Sequence, residues 1–261
     1  MSLSWSVTTK ELLILQDMTM LTLNKQNHYR ELYKQANPDW YSSGEFYEAK
    51  VRYHISQQGN SPNSLTVLDL GCGCGGVMEL FSPQVLLSVG IDLDVKSLHL
   101  HRDSVSRLVS GNLASLPFDD AVFDLVVSSW VLEHLTDPGS VFSEVARVLK
   151  KEGHFVFLTP NRHNLVTTLN RLVPALWQKY LVKLFYARSA IDTFPVAYQS
   201  NTIGEIEQYA KSAGLRQVTI EHISDPTYLA FSDLLFHLSV FIERLTPRSN
   251  YVHLIGDYVK P

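Results

Sequence analysis

The stretch Val67-Leu68-Asp69-Leu70-Gly71-Cys72-Gly73-Cys74-Gly75-Gly76 constrains this chain more than any other. Leu65 to Leu70 is apolar almost without alternation and stops at glycine, which predicts a buried parallel strand. Glycines at 71, 73 and 75 let the backbone turn sharply and approach a ligand closely, because no side chain blocks the way. A helix is predicted from near Gly76 through Val77, Met78, Leu80 and Phe81, with its free amide donors facing the loop. Strand, glycine turn and helix together form a unit that cradles a cofactor.

The rest of the chain has room for one large α/β domain with additions, or for two small domains, in 261 residues. Hydrophobic residues at 45% and charged residues at 18% describe a well-cored protein and not a disordered one. A net charge of -4, with no added basic domain, argues against nucleic acid as a partner. Cys72 and Cys74 are the only cysteines, lie too close in sequence to bridge and belong to no tetrahedral zinc pattern, so no metal is expected. A reducing, cytoplasmic setting follows as the expectation, and the N-terminus shows no secretory pattern. The apolar segment from Tyr228 to Leu245 is interrupted by Asp233, His237, Glu243 and Arg244, which speaks against a spanning helix.

Taken in order, residues 8–35 read as a helix closed by Asn37-Pro38, and a second helix runs from Ser43 to about Gln57. These N-terminal helices, residues 1–60, are expected to pack on the cofactor site, where Trp40, Tyr41 or Tyr47 would either touch ligand or serve as core anchors. Strand two, Val85 to Ile91, delivers Asp92, placed to accept both ribose hydroxyl protons, and Asp94 reads as the N-cap of a helix through His101. After a short third strand, Arg107 to Ser110, Asn112 offers a side-chain oxygen to an adenine amino group. Phe123 to Ser129 reads as a central buried strand whose carboxyl end, continuing through Trp130 to Leu135, should line the reaction site. Asp137-Pro138 opens a helix that the stop signals Lys150-Lys151 and Gly153 would close, and Phe155 to Thr159 is the fifth strand.

Simple alternation then ends. Residues 161–198 carry Arg162, Arg171, Lys179, Lys183 and Arg188, with Leu165, Leu169, Leu172, Leu176, Tyr180 and Leu184 at helical spacing and Pro174 as a kink. This is the pattern of a basic amphipathic insertion. Asn201-Thr202 starts a helix to Ala213 stopped by Gly214, Leu215 to His222 is a strand, Asp225-Pro226 caps a helix along Tyr228 to Leu245, and Tyr251 to Lys260 is the last strand.

Gly71, Gly73 and Gly76 also satisfy the dinucleotide fingerprint, and Asp92 lies where its ribose acid would be. Asp69 distinguishes the readings: a carboxylate beside the loop repels a pyrophosphate and holds an ammonium group, which suits a cofactor that carries an amino acid. In this the chain resembles the class I S-adenosylmethionine-dependent methyltransferases. Val67 to Gly75 is similar to the family's first motif and Gly90-Ile91-Asp92-Leu93 to its second. Leu116-Pro117-Phe118, Phe123-Asp124-Leu125-Val126, Val131-Leu132-Glu133-His134-Leu135 and Glu144-Val145-Ala146-Arg147-Val148-Leu149 follow the later blocks in order.

The resemblance implies an α/β, Rossmann-like doubly wound sheet of seven mostly parallel strands in order 3-2-1-4-5-7-6, with strand seven antiparallel. It implies a methyltransferase domain over residues 61–261, with helical insertions on the acceptor side at about 161–198 and 225–246. S-adenosylmethionine would be held by Asp69, Gly71, Cys72, Gly73, Asp92, Leu93, Asn112, Leu113 and Ser129. The family more often has an acid where Asn112 stands, an exchange costing on the order of 1 kcal/mol. The expected partner is a small-molecule methyl acceptor, anionic or lipid-linked, with peripheral membrane contact through residues 161–188 as a corollary of the basic insertion. For a hydroxyl acceptor His134 is the candidate base, unless Glu133-His134 simply fixes the loop after strand four. A non-catalytic S-adenosylmethionine-binding partner protein and a nicotinamide-dependent oxidoreductase are the alternatives. Oligomeric state has no signature in the sequence.

Overall fold

The computed structural model describes residues 25–57, 64–165, 167–168, 196–228, 230 and 232–261. They fall into two compact units, the larger comprising residues 43–167, 194–224 and 247–261.

The larger unit is built on a seven-stranded sheet in the order β3-β2-β1-β4-β5-β7-β6. The strands are β1 (Thr66–Leu70), β2 (Leu87–Asp92), β3 (Arg107–Ser110), β4 (Phe123–Ser129), β5 (Leu149–Pro160), β6 (Arg216–Ile223) and β7 (His253–Val259). β1 to β5 pair in parallel, whereas β7 lies antiparallel between β5 and β6. This is the fold class expected from the resemblance.

Strand periodicity divides the core between the two faces. Leu68, Leu70, Val126, Phe155 and Phe157 pack on one face with Val141, Phe142, Val145 and Val148 of a helix at Pro138–Val148, and with Ile206 and Ala210 of a helix at Ile203–Ser212. Val67, Leu125, Val127, Val156, Leu158 and Ile255 pack on the other with Tyr47 and Val51 of helix α1 (Ser43–Gln57). Many of these side chains are wholly shielded, and each such Val, Leu or Phe contributes roughly 1.5–3 kcal/mol relative to exposure. Asp69 shares its face with Val67, opposite Leu68 and Leu70, so it falls on the α1 face.

Several expected boundaries move. The helix after the glycine loop spans only Met78–Phe81, because Gly75 and Gly76 are taken up by the turn, and Pro83 then tightens the chain into a 3-10 turn. Asp94 caps its helix through bonds from the Lys96 and Ser97 amides, but that helix stops at His99 and not His101. Lys150, Lys151 and Gly153 do not close a helix: they lie within β5, where the register against β4 shifts and Glu152 adopts φ 60. Gly153 is needed there, since a Cβ would sit 2.9 Å from the Lys150 carbonyl oxygen.

In the smaller unit the described part of the first expected helix is helical over 25–36. The expected cap at Asp225-Pro226 is replaced: the helix spans Asp233–Leu245 and is capped by Ser232, while Asp225 turns back to bind the Thr227 hydroxyl and amide. Tyr29 stacks on Phe236 at 4.9 Å between centroids and donates its hydroxyl proton to Asp233 Oδ1 at 2.8 Å. The basic insertion proposed for 161–198, including most of the membrane contact at 161–188, falls largely on residues 169–195, outside the described residues. Among the described residues no helix is long and apolar enough to cross a membrane.

Candidate functional site

The carboxyl ends of β1, β2 and β4 place the predicted residues around the glycine loop. Gly71 and Gly73 adopt φ of 75 and 49, the left-handed region where glycine carries no Cβ penalty. The amides of Gly71 and Cys72 both donate to the Ile91 carbonyl, at 2.8 and 3.1 Å, and the Gly73 amide donates to Asp92 Oδ2 at 2.9 Å. Asp92 Oδ1 accepts the Asp94 amide at 2.8 Å, so this carboxylate ties the loop to the tip of β2. Each of its oxygens still has a lone pair for a ligand hydroxyl. Cys72 is buried beneath the loop, and burial pushes its thiol well above the usual range; its sulfur would be 2.7 Å from a Cβ at Gly90.

The two sides of the loop differ in the space they leave. A Cβ at Gly71 would strike Val131 Cγ2 at 2.4 Å, whereas one at Gly73 would meet nothing within 4 Å. A Cβ at Gly76 would lie 3.9 Å from both Asp69 Oδ2 and Ser129 Oγ, which shows that these two side chains converge on the hollow the glycine leaves. Asp69 itself is 6% exposed, and its carboxyl is pushed up to about 7, first by burial and then by Asp92, Asp103 and Glu79. Among the described residues, the charges that push it up are all those of other acids.

Within reach of its charge is Tyr47 of α1, whose buried hydroxyl has the Ser128 backbone nearby but no partner in full hydrogen-bond geometry among the described residues. Its phenol is pushed well above the ordinary range by burial and by the Asp69 charge, while the nearby Ser128 backbone opposes the shift. A buried carboxylate that no cation meets among the described residues and a buried phenol, next to a Gly73 that leaves open space, fit a ligand that brings positive charge and polar groups.

Asn112 is exposed, and its Oδ1 accepts the Ala114 amide at 3.0 Å, which fixes the amide and leaves one lone pair on that oxygen. Leu113 is half-buried, and Leu93 is 68% exposed at the rim. After β4 the chain bends at Trp130, with φ 61, into a 3-10 turn at Leu132–His134. A bulky residue in that region stores strain of order 1–3 kcal/mol, and the bend directs Glu133 and His134. Glu133 is buried: its carbonyl accepts the Ala197 and Tyr198 amides at 2.7 and 3.0 Å, and its Oε2 accepts the Thr159 hydroxyl at 3.2 Å. Asn201 in turn donates to Thr159 Oγ1 at 2.7 Å. His134 Nε2 lies 4.0 Å from Glu133 Oε1, with 27% of the histidine side chain exposed.

Sequence reasoning missed His253, Thr159 and Asn201. His253 shares a 2.6 Å hydrogen bond between Nδ1 and Ser43 Oγ and packs edge-on against Trp130. Burial holds its imidazole down at about 3, so the ring is neutral through the physiological range. The alternation His253-Leu254-Ile255-Gly256-Asp257, with polar groups on the face that should be apolar, was a legible signal.

Residues 68–157 match the methyltransferase domain model described as "Methyltransferase domain". That stretch is a methyltransferase domain. The chain is 40% identical over 98 residues to a protein of Mycolicibacterium smegmatis described as a probable S-adenosylmethionine-dependent methyltransferase, a match that covers 37% of this chain and 38% of that relative's length. A ubiquinone biosynthesis O-methyltransferase of Hydrogenovibrio crunogenus is 28% identical over 204 residues, covering 72% of this chain and 78% of that protein. Among solved structures, geranyl diphosphate C-methyltransferase of Streptomyces coelicolor superposes with a TM-score of 0.56 over 82% of this chain and 78% of that one, at 16% identity. At that identity the likeness concerns the fold alone.

Proposed function

We propose that this chain transfers a methyl group from S-adenosylmethionine to a hydroxyl of a small-molecule acceptor. The observation that carries the reading is Asp69, a buried carboxylate at the end of β1 that faces the hollow by Gly76 and is pushed up, among the described residues, by the charges of other acids. An amino-acid ammonium placed there would relieve the burial cost and the mutual repulsion together, which a pyrophosphate would worsen.

Asp69 would hold the amino-acid end, with the Tyr47 hydroxyl beside it. Gly71 and Gly73 would allow close backbone approach, and Asp92 would accept the ribose hydroxyls with the lone pairs that the loop amides leave. Asn112, Leu93 and Leu113 would frame the base, and Cys72 and Ser129 would line the loop. When bound, S-adenosylmethionine supplies an activated sulfonium methyl, so the protein's task is chiefly to align the acceptor. His134, on a turn anchored through Glu133, Thr159 and Asn201, would take the acceptor's proton at its imidazole. The relative named for O-methylation in ubiquinone biosynthesis supports an oxygen acceptor on a lipid-soluble molecule.

Calorimetric titration with S-adenosylmethionine and with NAD tests the site: binding of the former alone, weakened at least tenfold in Asp92→Ala, is the expected result. Binding of NAD alone would overturn the reading. Transfer of labelled methyl to prenylated catechols, lost in His134→Ala while cofactor binding persists, tests the acceptor and the base. Transfer undiminished in that variant would remove His134 from the mechanism.

A further inference from the structure

On the face that α1 covers, toward the end of β5 and β7 away from the glycine loop, three elements bring one metal-ligating side chain each to a single point. His54 comes from the last turn of α1, His154 from β5 and Asp257 from β7. Two periodicities produce the meeting. Ser43, Tyr47, Val51 and His54 recur every three or four residues along one stripe of α1, while His253, Ile255 and Asp257 alternate along β7 on the face that α1 covers. The antiparallel register pairs Val156 with Asp257 and His154 with Val259, which sets Asp257 diagonally beside His154.

The donor atoms are already gathered. His54 Nε2 lies 2.9 Å from Asp257 Oδ2, and His154 Nδ1 lies 2.7 Å from Asp257 Oδ1. The two imidazoles are 4.2 Å apart between centroids at an interplanar angle of 39°, and ligand atoms from all three residues fall within 4.8 Å of one another. With metal–nitrogen bonds of about 2.1 Å, neighbouring ligands in octahedral or tetrahedral sites stand roughly 3.0–3.4 Å apart. Small side-chain rotations would meet that spacing.

We propose that His54, His154 and Asp257 bind a divalent first-row transition-metal ion of the zinc class, which fastens α1 to β5 and β7. Imidazole nitrogens favour such ions over magnesium or calcium, and two histidines with one carboxylate leave coordination positions for water. The side chains of Asp257 and His54 are 8% and 12% exposed, whereas that of His154 is 26% exposed and gives solvent and ion a way in. Each ring would present a lone pair to the ion and keep its proton on the other nitrogen, Nδ1 of His54 and Nε2 of His154. Along β5 the site is four residues, about 13 Å, from Leu158, which pairs with Ser129 at the carboxyl end of β4. It is therefore separate from the methyl-transfer site. Without an ion the same residues form a histidine–carboxylate–histidine hydrogen-bond chain, and that is the competing account.

The test uses the full chain stripped with a chelator. Titration with Co2+ should give the visible bands of nitrogen–oxygen coordination at one equivalent, displaced by Zn2+. Zn2+ at a hundredfold excess over its Kd should raise Tm by roughly 5–10 °C, and Mg2+ at the same concentration should not. His54→Ala and Asp257→Asn, with circular dichroism unchanged, should each weaken Zn2+ binding by more than about a hundredfold, beyond what loss of an outer-shell partner costs. No cobalt bands and no zinc-dependent shift in the unmodified protein would leave only the hydrogen-bond chain. An equal shift in a His54→Ala/His154→Ala double variant would place the ion elsewhere. Either result overturns the proposal.

Discussion

Asp69 and Asp257 are equally buried, each 6% exposed, on the face of one sheet that α1 covers, yet their environments drive them in opposite directions. Asp69 is pushed up to about 7 by burial and by three neighbouring acids. Asp257 also feels burial, but hydrogen bonds from His154 and His54, with their electrostatic attraction, outweigh it and bring the carboxyl down to about 2. Burial alone thus does not determine the state of a carboxylate; its partners do. The protein satisfies Asp257 with its own histidines, whereas the charges acting on Asp69 among the described residues are those of other acids.

The strongest attempt to break this comparison is Asp69→Asn. Asp69 holds its proton more tightly folded than unfolded, so its effect on stability is absent below about pH 4 and grows to a full cost as pH rises through about 7. The variant should match the original protein in urea at pH 4 and exceed it at pH 8 by at most about 4 kcal/mol. Its affinity for S-adenosylmethionine should drop by roughly two orders of magnitude or more, the scale of a lost charge-assisted contact. The same shift predicts that cofactor binding to the original protein at pH 7 releases about half a proton, read from binding enthalpies in buffers of different ionisation heat. No stability gain at pH 8 would mean that Asp69 carries no burial penalty.

Next in size is the glycine loop. Gly71→Ala should cost about 3 kcal/mol by thermal unfolding, because φ 75 is retained only with strain and the new Cβ meets Val131 at 2.4 Å. Gly73→Ala at φ 49 should cost about 1–2 kcal/mol, since its Cβ meets open space, while lowering cofactor affinity as much as Gly71→Ala does. Equal stability losses would show that the space before Gly73 is not open.

At the other end, Asp257→Asn should cost about 1–3 kcal/mol at pH 7 and leave the S-adenosylmethionine Kd within about twofold. The stability that Asp257 supplies is present above about pH 4 and is lost as pH falls through about 2, so the deficit of the variant should close in acid. Tyr47→Phe should have the smallest effect: stability neutral or raised by up to about 1 kcal/mol, because an unsatisfied hydroxyl is removed, with a modest fall in cofactor affinity. A clear loss of stability would reveal a hydrogen bond to that hydroxyl.

Much of the larger unit was legible from local signals. The second helix at Ser43–Gln57, β3 at Arg107–Ser110 and β4 at Phe123–Ser129 stand at their expected bounds, because turn residues close each run on both sides. Boundaries failed where a local signal had a rival. Asp225 is a good cap by type, yet it bonds Thr227 two residues on, and Ser232 caps the helix instead. Asp69, Asp92 and the loop glycines could be named from spacing, since they lie at or just past the carboxyl ends of β1 and β2, which are neighbours in the sheet.

The sequence by itself determined the order of strands and helices, the glycine cradle and its acids, because periodicity, capping and turn chemistry act over about a dozen residues. Only the tertiary structure decided which distant groups meet. Ser43 reaches His253 across 210 positions, Tyr47 comes within reach of the Asp69 charge, and His54, His154 and Asp257 converge from three elements. Those meetings depend on the rotational phase of α1 and on the register between β5 and β7, which are set by packing the whole face at once.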